Sequence, residues 1–192
     1  MTRSRRTAGR TLTRRIIAYL ATSADGYIAR PDGDVAWLDR PRTAGDYGMA
    51  EFYRSIDTIV WGRKTYDFAV EVGQPFDARK RHYVLSRRPP ENPVGNVEFV
   101  TEPMAMFAKR LRRAEGSNVW LMGGAGLFAS FLDVEALDEF IIHVVPILIG
   151  AGIPLLTPQH RATRLDLISS RSFADGVVRL HYAVGAGKPV EI

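Results

Sequence analysis

Two glycine-bearing stretches hold the residues best suited to binding an anion. Gly62-Arg63-Lys64-Thr65 follows an apolar run and opens a segment of helical spacing, a place where unpaired backbone N–H groups point at whatever lies before the helix. Arginine and lysine beside those donors would reinforce phosphate binding. Alone, the same residues also make a plain glycine turn with two solvated cations. They are not a P-loop, because no glycine stands five residues before Gly62. Gly123-Gly124-Ala125-Gly126 likewise separates the run Asn118 to Met122 from the apolar side of a short helix, Leu127, Phe128, Phe131 and Leu132. These glycines either let a pyrophosphate approach the backbone or merely permit a tight turn. A dinucleotide unit of the Rossmann kind would carry an acid at the end of the next strand, whereas Asp138 and Glu139 begin theirs.

For proton transfer the candidates are carboxylates. Met49, Phe52, Tyr53 and Ile56 fall at i, i+3, i+4 and i+7, one face of a helix. Asp46 extends that face backwards, while Glu51 points roughly 160° away from it at about 100° per residue. Asp46 is therefore the first candidate proton handler, with helix capping as its competing role. Asp25 and Asp34 sit among turn residues. His82, His143, His160 and His181 are scattered, with no i, i+4 pair, so no metal site is expected. The chain has no cysteine, which removes thiolate catalysis and thiolate metal sites. No Gly-x-Ser-x-Gly elbow supports hydrolase chemistry.

The elements that must position these residues alternate. Apolar runs at 15–21, 58–61, 81–86, 97–100, 118–122 and 139–149 read as strands. Helical spacing appears after Met49, over 63–70, and over Met104, Phe107, Ala108 and Leu111, where Thr101 is the expected N-cap. Segments 165–173 and 177–184 flank Asp175-Gly176, a dipeptide favoured in two-residue hairpin loops. The pattern predicts an α/β domain with a mixed, mainly parallel sheet and a C-terminal antiparallel hairpin.

With 192 residues, 46% of them hydrophobic, the chain suits one domain, expected at 15–184 between a disordered basic arm (1–14) and a short tail (185–192). Formal charge is +5, but Arg3, Arg5, Arg6, Arg10, Arg14 and Arg15 crowd the start without an acid, so the remainder is close to neutral. Such an arm could touch nucleic acid, although solvation is the simpler expectation. No apolar run approaches the roughly 20 residues of a membrane span. A soluble, cytoplasmic protein is expected.

In chain order, Ser23-x-Asp25-Gly26-Tyr27-Ile28-Ala29, Trp37, Gly62-Arg63-Lys64-Thr65-Tyr66, Val84-Leu85-Ser86-Arg87, Met122-Gly123-Gly124-Ala125 and the strand Phe140 to Val145 form a constellation. It resembles the dihydrofolate-reductase superfamily, and within it the C-terminal reductase domain of the bacterial riboflavin-pathway deaminase-reductase, over roughly residues 15 to 184. The resemblance implies a three-layer α/β/α fold, NADPH as cofactor, a small pyrimidine or pterin substrate such as one like 5-amino-6-(5-phosphoribosylamino)uracil, and a homodimer. It implies that Gly62, Arg63, Lys64 and Thr65 hold the cofactor phosphates and that Ser86 and Arg87 grip the 2′-phosphate. Gly123, Gly124 and Ala125 would face the pyrophosphate, the two glycines joined by a cis peptide. Ile28 and Ala29 would lie against the nicotinamide and Trp37 at the substrate end of a loop.

Aligning the strand on Phe140 and His143 puts Ile142 where dihydrofolate reductases carry a threonine beside the pterin. A shift of one residue would bring His143 there instead. An NADPH-binding protein without turnover and a divergent dihydrofolate reductase are the competing functions.

Overall fold

The computed structural model describes residues 14–39, 45–157 and 162–185, and the basic arm expected at 1–14 lies outside them save for Arg14. That residue is buried. Its guanidinium donates to Asp57, Thr58 and the Ser117 and Leu111 carbonyls, tying the start of the first strand to a second strand, to the entry of a third and to a helix.

The elements, in order, are β1 (Ile16–Ser23), β2 (Tyr27–Ala29), a single 3-10 turn (Ala36–Leu38), α1 (Met49–Arg54), β3 (Ile56–Gly62), α2 (Arg63–Glu71), β4 (Arg81–Leu85), β5 (Val97–Val100), α3 (Met104–Arg113), β6 (Asn118–Gly123), α4 (Ala125–Asp133), β7 (Glu139–Val145), β8 (Ile153–Pro154), β9 (Leu165–Ser172) and β10 (Val178–Val184). Eight of the strands form one sheet in the order β5-β4-β3-β6-β1-β7-β10-β9. All pairs from β5 to β7 are parallel, and β10 closes the sheet antiparallel to both β7 and β9. The small second sheet pairs β2 with β8.

Alternation along the strands sorts side chains into two cores. Ile16, Ala18, Val60, Leu121 and Phe140 pack against Phe107 and Leu111 of α3 and Phe128 and Phe131 of α4. Ile17, Tyr19, Ile59, Trp61, Trp120 and Ile141 pack against Phe52 of α1 and Tyr66 and Ala69 of α2. The outcome is the expected three-layer α/β/α fold with a C-terminal antiparallel pair.

Three local expectations change. The helix after Met49 stops at Arg54, where Ser55 donates its hydroxyl to the Phe52 carbonyl, and Ile56 already belongs to β3. Pro103, not Thr101, precedes α3 as its cap residue, without a side-chain hydrogen bond. The C-terminal hairpin turns on more than two residues: Phe173 N–H donates to Val177 O and Gly176 N–H to Phe173 O.

Candidate active site

Parallel pairing of β3 with β6 sets Trp61 opposite Gly123, so the glycine motifs leave the sheet side by side. The contact is close. A Cβ at Gly62 would lie 2.9 Å from the Gly123 carbonyl oxygen and 3.2 Å from the Gly124 nitrogen, so only glycine fits without displacing backbone. Gly123 itself has φ 140, which L side chains rarely adopt. The peptide between Gly123 and Gly124 is cis. From Gly124, Ile28 Cδ1 and Thr65 Oγ1 lie 3.7 and 3.8 Å from where a Cβ would stand. Three of the sequence motifs thus converge on one point.

Both α2 and α4 begin at this point, after Gly62 and Gly124, and neither has a side-chain cap. Their first amides therefore lack intrahelical acceptors, and the positive ends of two dipoles face the same small region. Gly126 opens onto free space, and Ala125 is buried beside it. Two adjacent helix starts with free amides form a cradle whose donor set suits an anionic group such as a phosphate.

Next to the cradle, pairing of β3 with β4 brings the β4 end alongside Gly62. Arg63 does not stand free there: its Nε donates to both Asp67 oxygens at 2.8 and 2.9 Å, and Nη1 to the Arg88 carbonyl at 2.6 Å and Ser86 Oγ at 3.3 Å. It braces the turn carrying Ser86 and Arg87. Lys64 and Arg87 are exposed, and among the described residues neither has an ion-pair partner.

Farther along β1, the site is made of side chains. Tyr19 stacks on Phe52 with ring centroids 4.2 Å apart, and its hydroxyl lies 3.4 Å from His143 Nε2. That imidazole nitrogen also lies 3.3 Å from the Tyr47 carbonyl. Burial pushes the Tyr19 phenol up to about 12, with the Arg179 charge pulling the other way and Asp46 adding to the rise. Burial lowers the His143 pKa, against hydrogen bonds to the Tyr47 and Leu20 backbone, which raise it. The imidazole is therefore neutral at ordinary pH. Tyr47, at φ 55, donates its hydroxyl to Asp175.

The two candidates on β7, Ile142 and His143, face opposite sides of the sheet. Ile142 packs toward the α3/α4 core together with Leu20, so strand alternation turns the residue expected at the substrate away from the face that carries Tyr19. His143 shares the α1 face with Tyr19 and Ile141. Asp46 is exposed, and its carboxylate accepts the Gly48 amide at 3.0 Å and the Ala50 amide at 2.8 Å. Those bonds hold it below the usual carboxylate range. The geometry gives Asp46 a helix-starting role and argues against proton donation. Trp37 is buried, and its Nε1–H is the one buried side-chain polar atom among the described residues without a partner. Ala29 is buried where β2 meets β8, with no room for a Cβ on Gly152, 2.2 Å from the Ala29 carbonyl oxygen.

Sequence reasoning missed Tyr19, Tyr47, Gly48 and Arg179. Each lies in an unremarkable local pattern. The signal available was strand parity: once His143 is put on the α1 face, its neighbours across β1 and β10 follow.

Among the described residues no group of three His, Asp or Glu could hold a metal ion, and no helix is long and apolar enough to cross a membrane.

Comparison with known proteins agrees with this geometry. The profile of the RibD C-terminal domain family matches residues 14–179. The Bacillus subtilis (strain 168) protein YwjB, described as uncharacterized, is 38% identical over 172 residues, spanning 89% of this chain and 98% of its own. A Shewanella sp. PV-4 protein whose name assigns it to riboflavin biosynthesis superposes with TM-score 0.80 at 28% identity, covering 90% of this chain and 99% of that one. Enterococcus faecalis dihydrofolate reductase, solved with NADP(H), shares the fold with TM-score 0.59 at 15% identity over 90% of this chain and 97% of its own.

Proposed function

The chain belongs to the RibD C-terminal domain family, and from that premise we propose that it is an NADPH-dependent reductase of a small heterocycle of the pyrimidine or pterin type. The observation that carries this reading is the fit of Gly62 against Gly123-Gly124 at the start of two uncapped helices. In this reading the amides there bind the pyrophosphate, while Lys64 and Arg87 meet the remaining phosphates and Arg63 braces Ser86. Ile28 and Ala29 border the nicotinamide. When bound, the dihydronicotinamide supplies the hydride. The protein's task is to orient the acceptor and exclude water, for which the stacked Tyr19 and Phe52 and the neutral His143 provide an aromatic, half-closed surface.

The test is NADPH consumption by the purified protein with pyrimidine and pterin acceptors. Oxidation that depends on one acceptor supports the reading; tight NADPH binding with no oxidation across both classes leaves a cofactor-binding protein without turnover.

A homodimer is part of the same reading. Edge strand β9 is exposed along its whole length, and Leu165, Leu167 and Ile168 are 39–59% exposed, a surface suited to a second copy of the chain. Leu167→Asp should then convert dimer to monomer in light scattering; a wild-type monomer contradicts it.

A further inference from the structure

His82, on β4, is buried and lies outside the groups that would meet substrate or cofactor. Its Nε2 lies 3.0 Å from the Asp77 carbonyl, which can only accept, so Nε2 carries the proton. That leaves Nδ1 as the acceptor for the Trp61 indole N–H at 3.1 Å. The bond is enclosed. Trp61 is 1% exposed, and the Phe76 ring centroid lies 5.4 Å from the indole and 5.5 Å from the imidazole. A buried indole N–H left without a partner is costly.

Trp61 immediately precedes Gly62 and stands opposite Gly123 on β6. The β3–β6 ladder shifts register between Val60 and Trp61, so regular pairing on that side does not by itself fix the indole-bearing residue. On the other side β3 runs in even register with β4 through Trp61 opposite Val84 and Gly62 opposite Leu85. It is from β4 that His82 reaches the indole. The tolerance at the next residue is small, since a Cβ on Gly62 would lie 2.9 Å from the Gly123 carbonyl oxygen. A rotation at Trp61 therefore moves the Gly62 backbone relative to the paired glycines.

The groups around the imidazole come from every neighbouring element. Asp77 accepts from Tyr53 of α1 and from Arg79, and the Lys80 ammonium donates to the Tyr53 and Ile56 carbonyls. From α2 the Tyr66 ring lies 5.6 Å from Phe76, while β3 and β5 set Ile59 and Val97 beside His82. Burial lowers the His82 pKa; the bond to the Asp77 carbonyl and the Asp77 charge oppose the fall, and Lys80 adds to it. A second proton on the ring goes to Nδ1. It turns the acceptor of the indole N–H into a donor facing a donor.

We propose that His82 is a positioning residue for the cofactor site: through Trp61 it holds Gly62 at the spacing from Gly123-Gly124 that lets two helix starts meet one ligand. The proposal rests on the reductase reading for the identity of that ligand. Cofactor affinity is then fully present above the ordinary histidine value of about 6.5 and falls as pH drops through the lower folded value.

Calorimetric titration of the full chain with NADP+, the acid-stable form of the cofactor, tests this. His82→Leu removes the acceptor and should weaken NADP+ about 10-fold at about pH 7.5. His82→Asn offers its amide oxygen where Nδ1 stood and should recover most of that loss. Between about pH 7.5 and about pH 5, wild-type affinity should fall about 3-fold or more further than that of His82→Asn, which takes up no proton there. The 2′-phosphate titrates at about pH 6 with either protein, so the difference between them isolates the imidazole. Should His82→Leu not fold, Trp61→Phe removes the donor and should bring the same loss, and the comparison with His82→Asn stands without either. A His82 that served stability alone would lower the melting temperature in His82→Leu and leave affinity per folded molecule unchanged. That result, or parallel pH profiles for the wild type and His82→Asn, would overturn the proposal while leaving cofactor binding intact. Absence of NADP+ binding by the wild type defeats the reductase reading, and this proposal with it.

Discussion

In the proposed function, recognition around Gly62 and Gly123 rests on backbone amides brought close because side chains are missing, whereas around Tyr19 and His143 it rests on side chains gathered from β1, β7, β10 and the segment before α1. The difference separates what each region can tolerate. A cradle made of backbone has no rotamers with which to absorb a change, so a single methyl group displaces the ligand's whole binding surface. A pocket made of side chains can be re-tuned one residue at a time, and there the chemistry of the substrate is set.

The largest effect should follow from breaking the cradle. Gly62→Ala places a Cβ 2.9 Å from the Gly123 carbonyl and should weaken NADPH binding by about 100-fold, about 2.7 kcal/mol, while probes of the other region bind as before. Retained NADPH affinity in this variant would mean that the glycine contact is only structural. A smaller, more selective loss is expected at the phosphate contacts. Arg87→Ala should lower NADPH affinity by about 10-fold and leave NADH nearly unaffected, because a charge-assisted contact to a 2′-phosphate exists only for NADPH. Arg63→Ala should act similarly by freeing the Ser86–Arg88 turn that it braces.

On the side-chain half, acid should sharpen the contrast. His82 accepts the Trp61 indole N–H at 3.1 Å, and burial lowers the pKa of both His82 and His143. The folded protein thus binds these protons less readily than the unfolded chain. Stability is fully present above the ordinary histidine value of about 6.5 and is lost as pH falls from there toward the folded values. Melting temperatures between about pH 7.5 and about pH 5 should therefore decline, and the decline should be shallower in His82→Gln, by up to about 1.4 kcal/mol per pH unit of that residue's linkage. An unchanged slope would show that His82 does not contribute. The smallest effect is expected at Asp46. Asp46→Ala should lower the melting temperature by roughly 2 to 4 °C and leave single-turnover hydride transfer per folded molecule unchanged, whereas a rate loss of about 100-fold would restore it as proton handler.

The same contrast explains what the sequence made legible. Gly62-Arg63-Lys64-Thr65 and Gly123-Gly124 were readable because a backbone site needs particular residues at particular turns, and few other residues satisfy those turns. The strand alternation that produced the parallel sheet and the closing hairpin was readable for a comparable local reason. Asp46 was readable as an acid near the start of a helix, but the sequence could not decide between capping and catalysis, because that depends on where the Gly48 and Ala50 amides point. Of the Tyr19–His143–Arg179 group only His143 was legible, as the alternative register on its strand. Its members are 124 residues apart at the hydrogen-bonded pair and meet only through the register of β1 with β7 and of β7 with β10. Ile142 shows how sharp that dependence is: one residue of register moves a side chain from the Tyr19 face of the sheet to the opposite core.

The central claim is that the backbone cradle and its exposed cations bind NADPH. Trp37, Trp61 and Trp120 are all buried, so intrinsic fluorescence titrated in parallel with NADPH and NADH reads binding directly. Saturable quenching with NADPH bound about 10-fold or more tightly than NADH is the predicted result, and equal affinity for the two cofactors, or no saturable signal with either, would contradict it.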